Sequence, residues 1–213
     1  MATTRLTREE KKARTRERLL AAARTVFAKR GFAAASLDEV ADEAGLTKGA
    51  VYSNFANKED LVLAVLEDSF NRRLDDIVSR VDTDASLEEA ARLGGALFMA
   101  ISGEERWLDL LSLDFVTYAA RNPEFGARLA ARHRESLAAI ADVLSEQSAK
   151  HGWTLPMSAG QLALLMNALG SGLSLEQLIE PEAVPDELFG EAVALIWRGA
   201  FADPQPSSGT APS

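Results

Sequence analysis

Seven consecutive residues, Lys48-Gly49-Ala50-Val51-Tyr52-Ser53-Asn54, gather a cation, a residue small enough for close approach and three neutral hydrogen-bonding groups. That set suits recognition of a polyanion better than bond-making. Lysine can donate to guanine acceptors, and hydroxyls and amides can donate to phosphate oxygens. Catalysis has no comparable foothold. The 213 residues hold no cysteine and only two histidines, His133 and His151. There is no G-x-S-x-G, no Walker phosphate loop, no H-E-x-x-H and no glycine-rich dinucleotide turn. The paired acids Glu88-Glu89 and Glu104-Glu105 fall at helix starts, where the macrodipole favours them without any reaction. The sequence predicts no enzyme, no cofactor and no metal site.

To present those seven residues, the flanking chain must form two short helices set at an angle. Ser36 can cap the first, with Glu39 completing a capping box. Val40, Ala41 and Ala44 give it an apolar face, and Gly45 ends it in a left-handed conformation that costs glycine little. Leu46 plugs the turn, Thr47 caps the second helix, and Val51 and Phe55 face inward one turn apart. The result is a helix-turn-helix whose second helix suits the major groove. Bases then fall to Lys48 and Ala50. Phosphates fall to Thr47, Tyr52, Asn54 and Lys58, with Ser53 on the same outward face and Ser36 across the groove.

A net charge of −9 argues at first against nucleic acid, but its distribution reverses the argument. Residues 1–60 hold twelve Lys/Arg against nine Asp/Glu, a net of +3, which leaves −12 for the rest. Residues 1–30 alone carry +7. Such a molecule docks one end on DNA while its acidic body is held clear. Taken alone, Arg14, Arg16 and Arg18 would be read as a solvated helix face; beside the helix-turn-helix they read as part of the basic end.

Residues 8–66 resemble the DNA-binding domain of the tetracycline-repressor (TetR) family of bacterial transcription regulators. The resemblance rests on Phe27-Ala28-Lys29-Arg30-Gly31-Phe32, Ser36-Leu37-Asp38-Glu39-Val40-Ala41, Ala44-Gly45-Leu46-Thr47-Lys48-Gly49-Ala50-Val51-Tyr52, and Phe55-Ala56-Asn57-Lys58-Glu59-Asp60-Leu61. Where the family often has Tyr-His-Phe, Ser53-Asn54-Phe55 stands here, and Asn54 cannot take a positive charge. The resemblance implies a homodimer on a roughly palindromic double-stranded operator, released by a small effector. The expected function is a repressor. The alternatives are a helical interaction module, or an activator without a small-molecule effector.

The fold class read from the chain is all-α, about nine helices. A flexible arm is expected at 1–7, a three-helix DNA-binding domain at 8–60, a helical effector-binding and dimerisation domain at 61–202, and a disordered tail at 203–213, rich in Pro, Ser and Gly. The expected helices run near 8–29, 37–44, 48–55, 57–81, 87–102, 104–121, 124–150, 158–179 and 186–201. Gly94-Gly95, Asn122-Pro123, His151-Gly152 and Pro181 to Pro185 supply punctuation. The fourth helix, long and capped by Asn57, must leave the small N-terminal core and link the two halves. No apolar run reads as long enough to span a bilayer and the amino terminus does not read as a signal peptide, so the expected location is the bacterial cytoplasm, at the nucleoid when DNA is bound, with no membrane partner.

Two segments of the second half invite specific roles. Trp107, Leu111, Asp114, Phe115 and Tyr118 share one helix face and, with His133 and Asn167, make a lining for a largely apolar effector. Singly, Asp114 could as well pair with Arg121 or Arg132, and His133 could be a satisfied core histidine. The last two helices are apolar nearly all round. Leu162, Leu165, Met166, Leu169, Gly170, Val193, Ile196 and Trp197 are therefore expected at a symmetric subunit interface, with intramolecular core as the alternative.

Overall fold

The computed structural model describes residues 7–81 and 86–201. The residues expected to form an arm (1–6) and a tail (203–213) lie outside them. Among the described residues nine helices follow one another: α1 Arg8–Ala34, α2 Leu37–Ala44, α3 Lys48–Tyr52, α4 Lys58–Arg80, α5 Leu87–Glu104, α6 Arg106–Arg121, α7 Pro123–His151, α8 Ala159–Ile179 and α9 Leu188–Phe201.

The starts are set by local chemistry. Thr7, inside the expected arm, instead caps α1 in a reciprocal box with Glu10. Ser36–Glu39, Ser86–Glu89 and Ser158–Gln161 repeat the device at α2, α5 and α8, each box satisfying two otherwise orphan N–H groups. The side chain of Asn57 accepts from the Asp60 amide at 2.8 Å and starts α4. Two helix ends need a left-handed residue and use glycine, Gly45 (φ 61°) after α2 and Gly152 (φ 67°) after α7. Gly31 (φ 69°, ψ 174°) is non-helical and kinks α1, so the regular helix stops close to the expected end at Lys29 and a short last turn follows to Ala34.

Two cores result. The N-terminal one takes Leu19, Ala23 and Phe27 from α1, Val40 and Ala41 from α2, Val51 and Phe55, and Leu61 to Val65 from α4. It does not stop there. Leu108, Leu111 and Phe115 of α6 and Phe125 of α7 belong to the same cluster. The first turns of α4 thus belong to this core, beyond the expected division at residue 60. The second core joins α5, α8 and α9 through Met99, Leu162, Phe189, Val193 and Trp197. There Gly94-Gly95 is not punctuation. α5 runs straight through it, and a Cβ on Gly95 would overlap the Gly190 backbone, so the pair lets α5 and α9 cross in backbone contact.

α8 also corrects the expectation about bilayer length. Its 21 residues, with mean hydropathy 1.3 over the best window, are long and apolar enough to span one. In this protein Leu162, Ala163, Gly170 and Ser174 are buried, while Leu164, Leu165, Leu175 and Ile179 stay exposed.

Candidate nucleic-acid interface and effector cavity

α2 and α3 meet as a helix-turn-helix. Val40, Ala41 and Val51 are fully buried between them, and Thr47 accepts the Ala50 amide at 3.2 Å to begin α3. Burying Val51 turns its neighbours outward: Thr47 and Lys48 are exposed, Ala50 is half-buried and Tyr52 is 56% exposed. On the side of α2, Ser36 is exposed but occupied, because Glu39 Oε2 accepts from both its amide and its hydroxyl.

Four more of the expected contacts are engaged within the chain. Lys48 Nζ donates to Asp38 on α2, and that partner holds the lysine above its ordinary pKa. α3 ends at Tyr52, three residues short of the expected Phe55, because Ser53 Oγ (2.9 Å) and Asn54 Nδ2 (2.8 Å) both donate to the Ala50 carbonyl. These two close the helix rather than stand free. Lys58 is the clearest correction. Its ammonium donates to the carbonyls of Phe32 (2.8 Å), Ala33 (3.2 Å) and Ala35 (2.9 Å) and lies 4.4 Å from the centroid of the Phe32 ring. All three protons are used, and burial pushes its pKa down. It caps the end of α1 and has nothing left for phosphate.

Arginines that read as a basic face divide similarly. Arg18 Nη2 donates to the Ala44 carbonyl at 2.7 Å, closing α2, and the Arg16 guanidinium lies 4.8 Å from the centroid of the Phe55 ring. Lys11, Lys12 and Arg14 remain exposed and, among the described residues, unpaired. A cation serving carbonyls at a helix end cannot be told from a solvated one by spacing alone, since its partners lie 23 to 26 residues away.

The stripe on α6 takes the opposite side from the one expected. Leu111 and Phe115 are buried in the N-terminal core, with Trp107 and Tyr118 packed beside them. Phe115 lies 4.6 Å from Phe32 and 5.4 Å from Phe125, and Tyr118 lies 5.7 Å and 5.1 Å from the same two rings. These rings form a joint between the DNA-binding end and the body. Tyr118 Oη donates to Glu59 at 2.7 Å, which raises its pKa, and Arg128 of α7 pairs with Glu59 and Asp60 at the start of α4. Asp114 is exposed, close to Gly31, and pairs with neither Arg121 nor Arg132.

A cavity of about 1090 Å³ opens beside this joint, enclosed by α4 to α9 and lined mainly by apolar side chains such as Phe70, Leu74, Ile77, Phe98, Ile140 and Leu144. Phe115, His133 and Asn167 are on its wall; Trp107, Leu111, Asp114 and Tyr118 are not. The exposed Leu113 and Val116 also reach it, marking an open side along α6. Phe115 alone of the expected α6 residues belongs both to the cavity wall and to the joint.

The expected interface residues separate likewise. Leu162, Gly170, Val193 and Trp197 are buried within the subunit, and a Cβ on Gly170 would fall 2.9 Å from the Phe98 ring. Met166, Leu169 and Ile196 are half-buried, and Met166 lines the cavity. Leu165 (42% exposed) keeps its outward position. Leu164, Leu175, Ile179, Leu188 and Leu195 are also exposed apolar residues of α8 and α9, and they lie outside the expected interface set.

Residues 19–65 match the family described as bacterial regulatory proteins, tetR family. The HTH-type transcriptional activator FasR of Mycolicibacterium smegmatis is 30% identical over 202 residues, 92% of this chain and 85% of that protein. A transcriptional regulator from Rhodococcus sp. Rha1 superposes with a TM-score of 0.64 at 25% identity, covering 87% of this chain and 95% of that one. The FadR regulator of Bacillus subtilis in complex with stearoyl-CoA superposes with a TM-score of 0.65 at 15% identity, covering 86% and 98%. Helix-turn-helix, all-helical body and sequence agree: the chain belongs to the TetR family, and it is a DNA-binding transcription regulator and not an enzyme.

Proposed function

We propose that the protein binds a palindromic operator as a homodimer in the bacterial cytoplasm, at the nucleoid, and is released from it by a largely apolar effector held between α4 and α9. The DNA contacts assigned are Lys48 and Ala50 to bases and Thr47 and Tyr52 to phosphates, with Lys11, Lys12 and Arg14 adding positive charge along α1. Ser36 is left out because its hydroxyl and amide both donate to Glu39. Lys58 is left out because its donors cap α1. The subunit interface is assigned to the exposed leucines of α8 and α9.

The observation that carries the reading is Phe115, whose ring borders the cavity and packs at a tilt against Phe32 in the joint. A ligand against it would change how α6 meets α1, and so the spacing of paired recognition helices. The shift works only if the ligand binds the released arrangement better, and operator must then weaken the ligand by the same factor. The mainly apolar lining, and a similarly folded protein solved with stearoyl-CoA, support a chain-like apolar ligand. Repression is the simplest sign, because a dimer seated on a promoter excludes polymerase without a further contact surface.

Selection of duplexes from a random pool, followed by retardation assays, tests the first half. A palindrome should emerge, and Lys48→Ala should relax preference at one or two positions by about 1–3 kcal/mol. Recovery of no preferred sequence would sink it. For the second half, Phe115→Leu should keep operator affinity while requiring more ligand for release. An unaltered release curve would place the coupling elsewhere.

A further inference from the structure

A polar cluster from four helices interrupts the apolar wall of the cavity. Arg73 (α4) and Asp109 (α6), with side chains 13% and 19% exposed, and Ser174 (α8) line it. Arg73 Nε donates to Glu105 at 2.8 Å, and its Nη1 lies 3.9 Å from Asp109, too far for a hydrogen bond. Ser102 Oγ donates to Asp109 at 2.7 Å and lies 2.8 Å from the Ser174 hydroxyl. One fully buried nitrogen of the cluster is left unanswered. Arg73 Nη2 is buried with no acceptor.

An unanswered guanidinium nitrogen away from water costs free energy that a well-packed apolar side chain would not. The surroundings also state what kind of acceptor would fit. Two carboxyl groups, Glu105 and Asp109, already face this one guanidinium, so an anionic group would bring a third acid to a single cation. An uncharged oxygen meets no such repulsion.

We propose that Arg73 is the polar anchor of the cavity, and that the effector is an apolar molecule carrying an uncharged hydrogen-bond acceptor, such as an ester, thioester, amide or ketone oxygen, which Nη2 engages. This rests on the effector-cavity reading above and narrows it to a ligand class.

The test uses the full-length protein and three probes of equal chain length: decane, methyl decanoate and decanoate. Trp153 and Trp197 both line the cavity, so quenching of tryptophan emission reports binding. The variants are R73M/E105M, which removes the ion pair together so that neither of its members is left as a lone buried charge, and R73K. The lysine keeps the charge near Glu105 but lacks the guanidinium fork, and carries the test if the double variant does not fold. The expected result is that the wild type favours the ester over decane about tenfold more than either variant does. Decane affinity should be the same in all three, and decanoate should bind the wild type more weakly than the ester.

An ester-to-decane ratio unchanged by the variants, with decane still bound, overturns the anchor and leaves the apolar cavity standing. Binding of none of the probes by the wild type overturns the effector cavity itself, and the anchor with it. Decanoate bound more tightly than the ester, through Arg73, overturns the uncharged class.

Discussion

Lys58 shows how far one side chain's role depends on groups distant in sequence. Its cation serves three carbonyls at the end of α1. Lys58→Met, which keeps the stem over Phe32, should therefore lower unfolding free energy in urea by about 2 kcal/mol while folded protein still binds operator. Lys48 is held differently, by an exposed partner. Asp38→Asn should free it, raise affinity for any duplex at low salt and steepen the slope of log affinity against log salt by about one contact. Anisotropy titrations across a salt series would show an unchanged slope if Asp38 is inert. Asp109 gives a pH signature. Burial raises its folded pKa above the ordinary 3.8, so the folded state keeps the proton longer than the unfolded chain does. Stability from this group is lost as pH rises through that window. Asp109→Asn should accordingly melt higher than the wild type at pH 7, with the difference vanishing below the ordinary value.

At the scale of elements, the sequence revealed what is decided locally and hid what is decided by partners. The caps at Ser36, Thr47 and Asn57 and the left-handed Gly45 were legible because each is complete within a few residues. The α6 stripe was legible as a stripe, but its period does not say which of two apolar surroundings it meets. The stripe places Asp114 in the same pocket as Phe115, yet Asp114 and Tyr118 border a separate, more open hollow beside Phe32 and Lys58. Ser53 and Asn54 were read as free donors because nothing in their types shows that Ala50's carbonyl takes both. Glycine pairs carry the same ambiguity. A Cβ at Gly94 would meet Ile77 and Val81 side chains at an ordinary 3.6 Å, whereas one at Gly95 would strike the Gly190 backbone. Gly94→Ala should stabilise by about 0.5–1 kcal/mol through helix propensity. Gly95→Ala should destabilise by about 2 kcal/mol or more, since backbones cannot part without opening the α5–α9 contact. Equal thermal shifts in the two variants would refute the crossing.

For the whole molecule, burial separates what holds a subunit from what holds a pair. Gly170 and Trp197 belong to the former, so charges there would unfold the chain and say nothing about assembly. Leu165→Glu with Leu195→Glu places charge on the exposed face instead. Sedimentation should find a folded monomer of this variant, with helicity intact and operator binding reduced to weak half-site contact. A dimer at micromolar concentration would move the interface elsewhere.

The α5–α9 crossing has a further consequence, in the time taken to make the chain. Most of the helix-turn-helix core is complete once α4 has emerged, but Gly95 must wait for Gly190. At about 5–20 residues per second of synthesis that wait lasts roughly 5–20 s, during which the face of α5 that meets α9 has no partner. A nascent chain arrested before α9 should then show a protease-resistant core of α1 to α4 with α6 packed on it, and cleavage concentrated in α5. The end that reads DNA would take shape on the ribosome before the end that governs it.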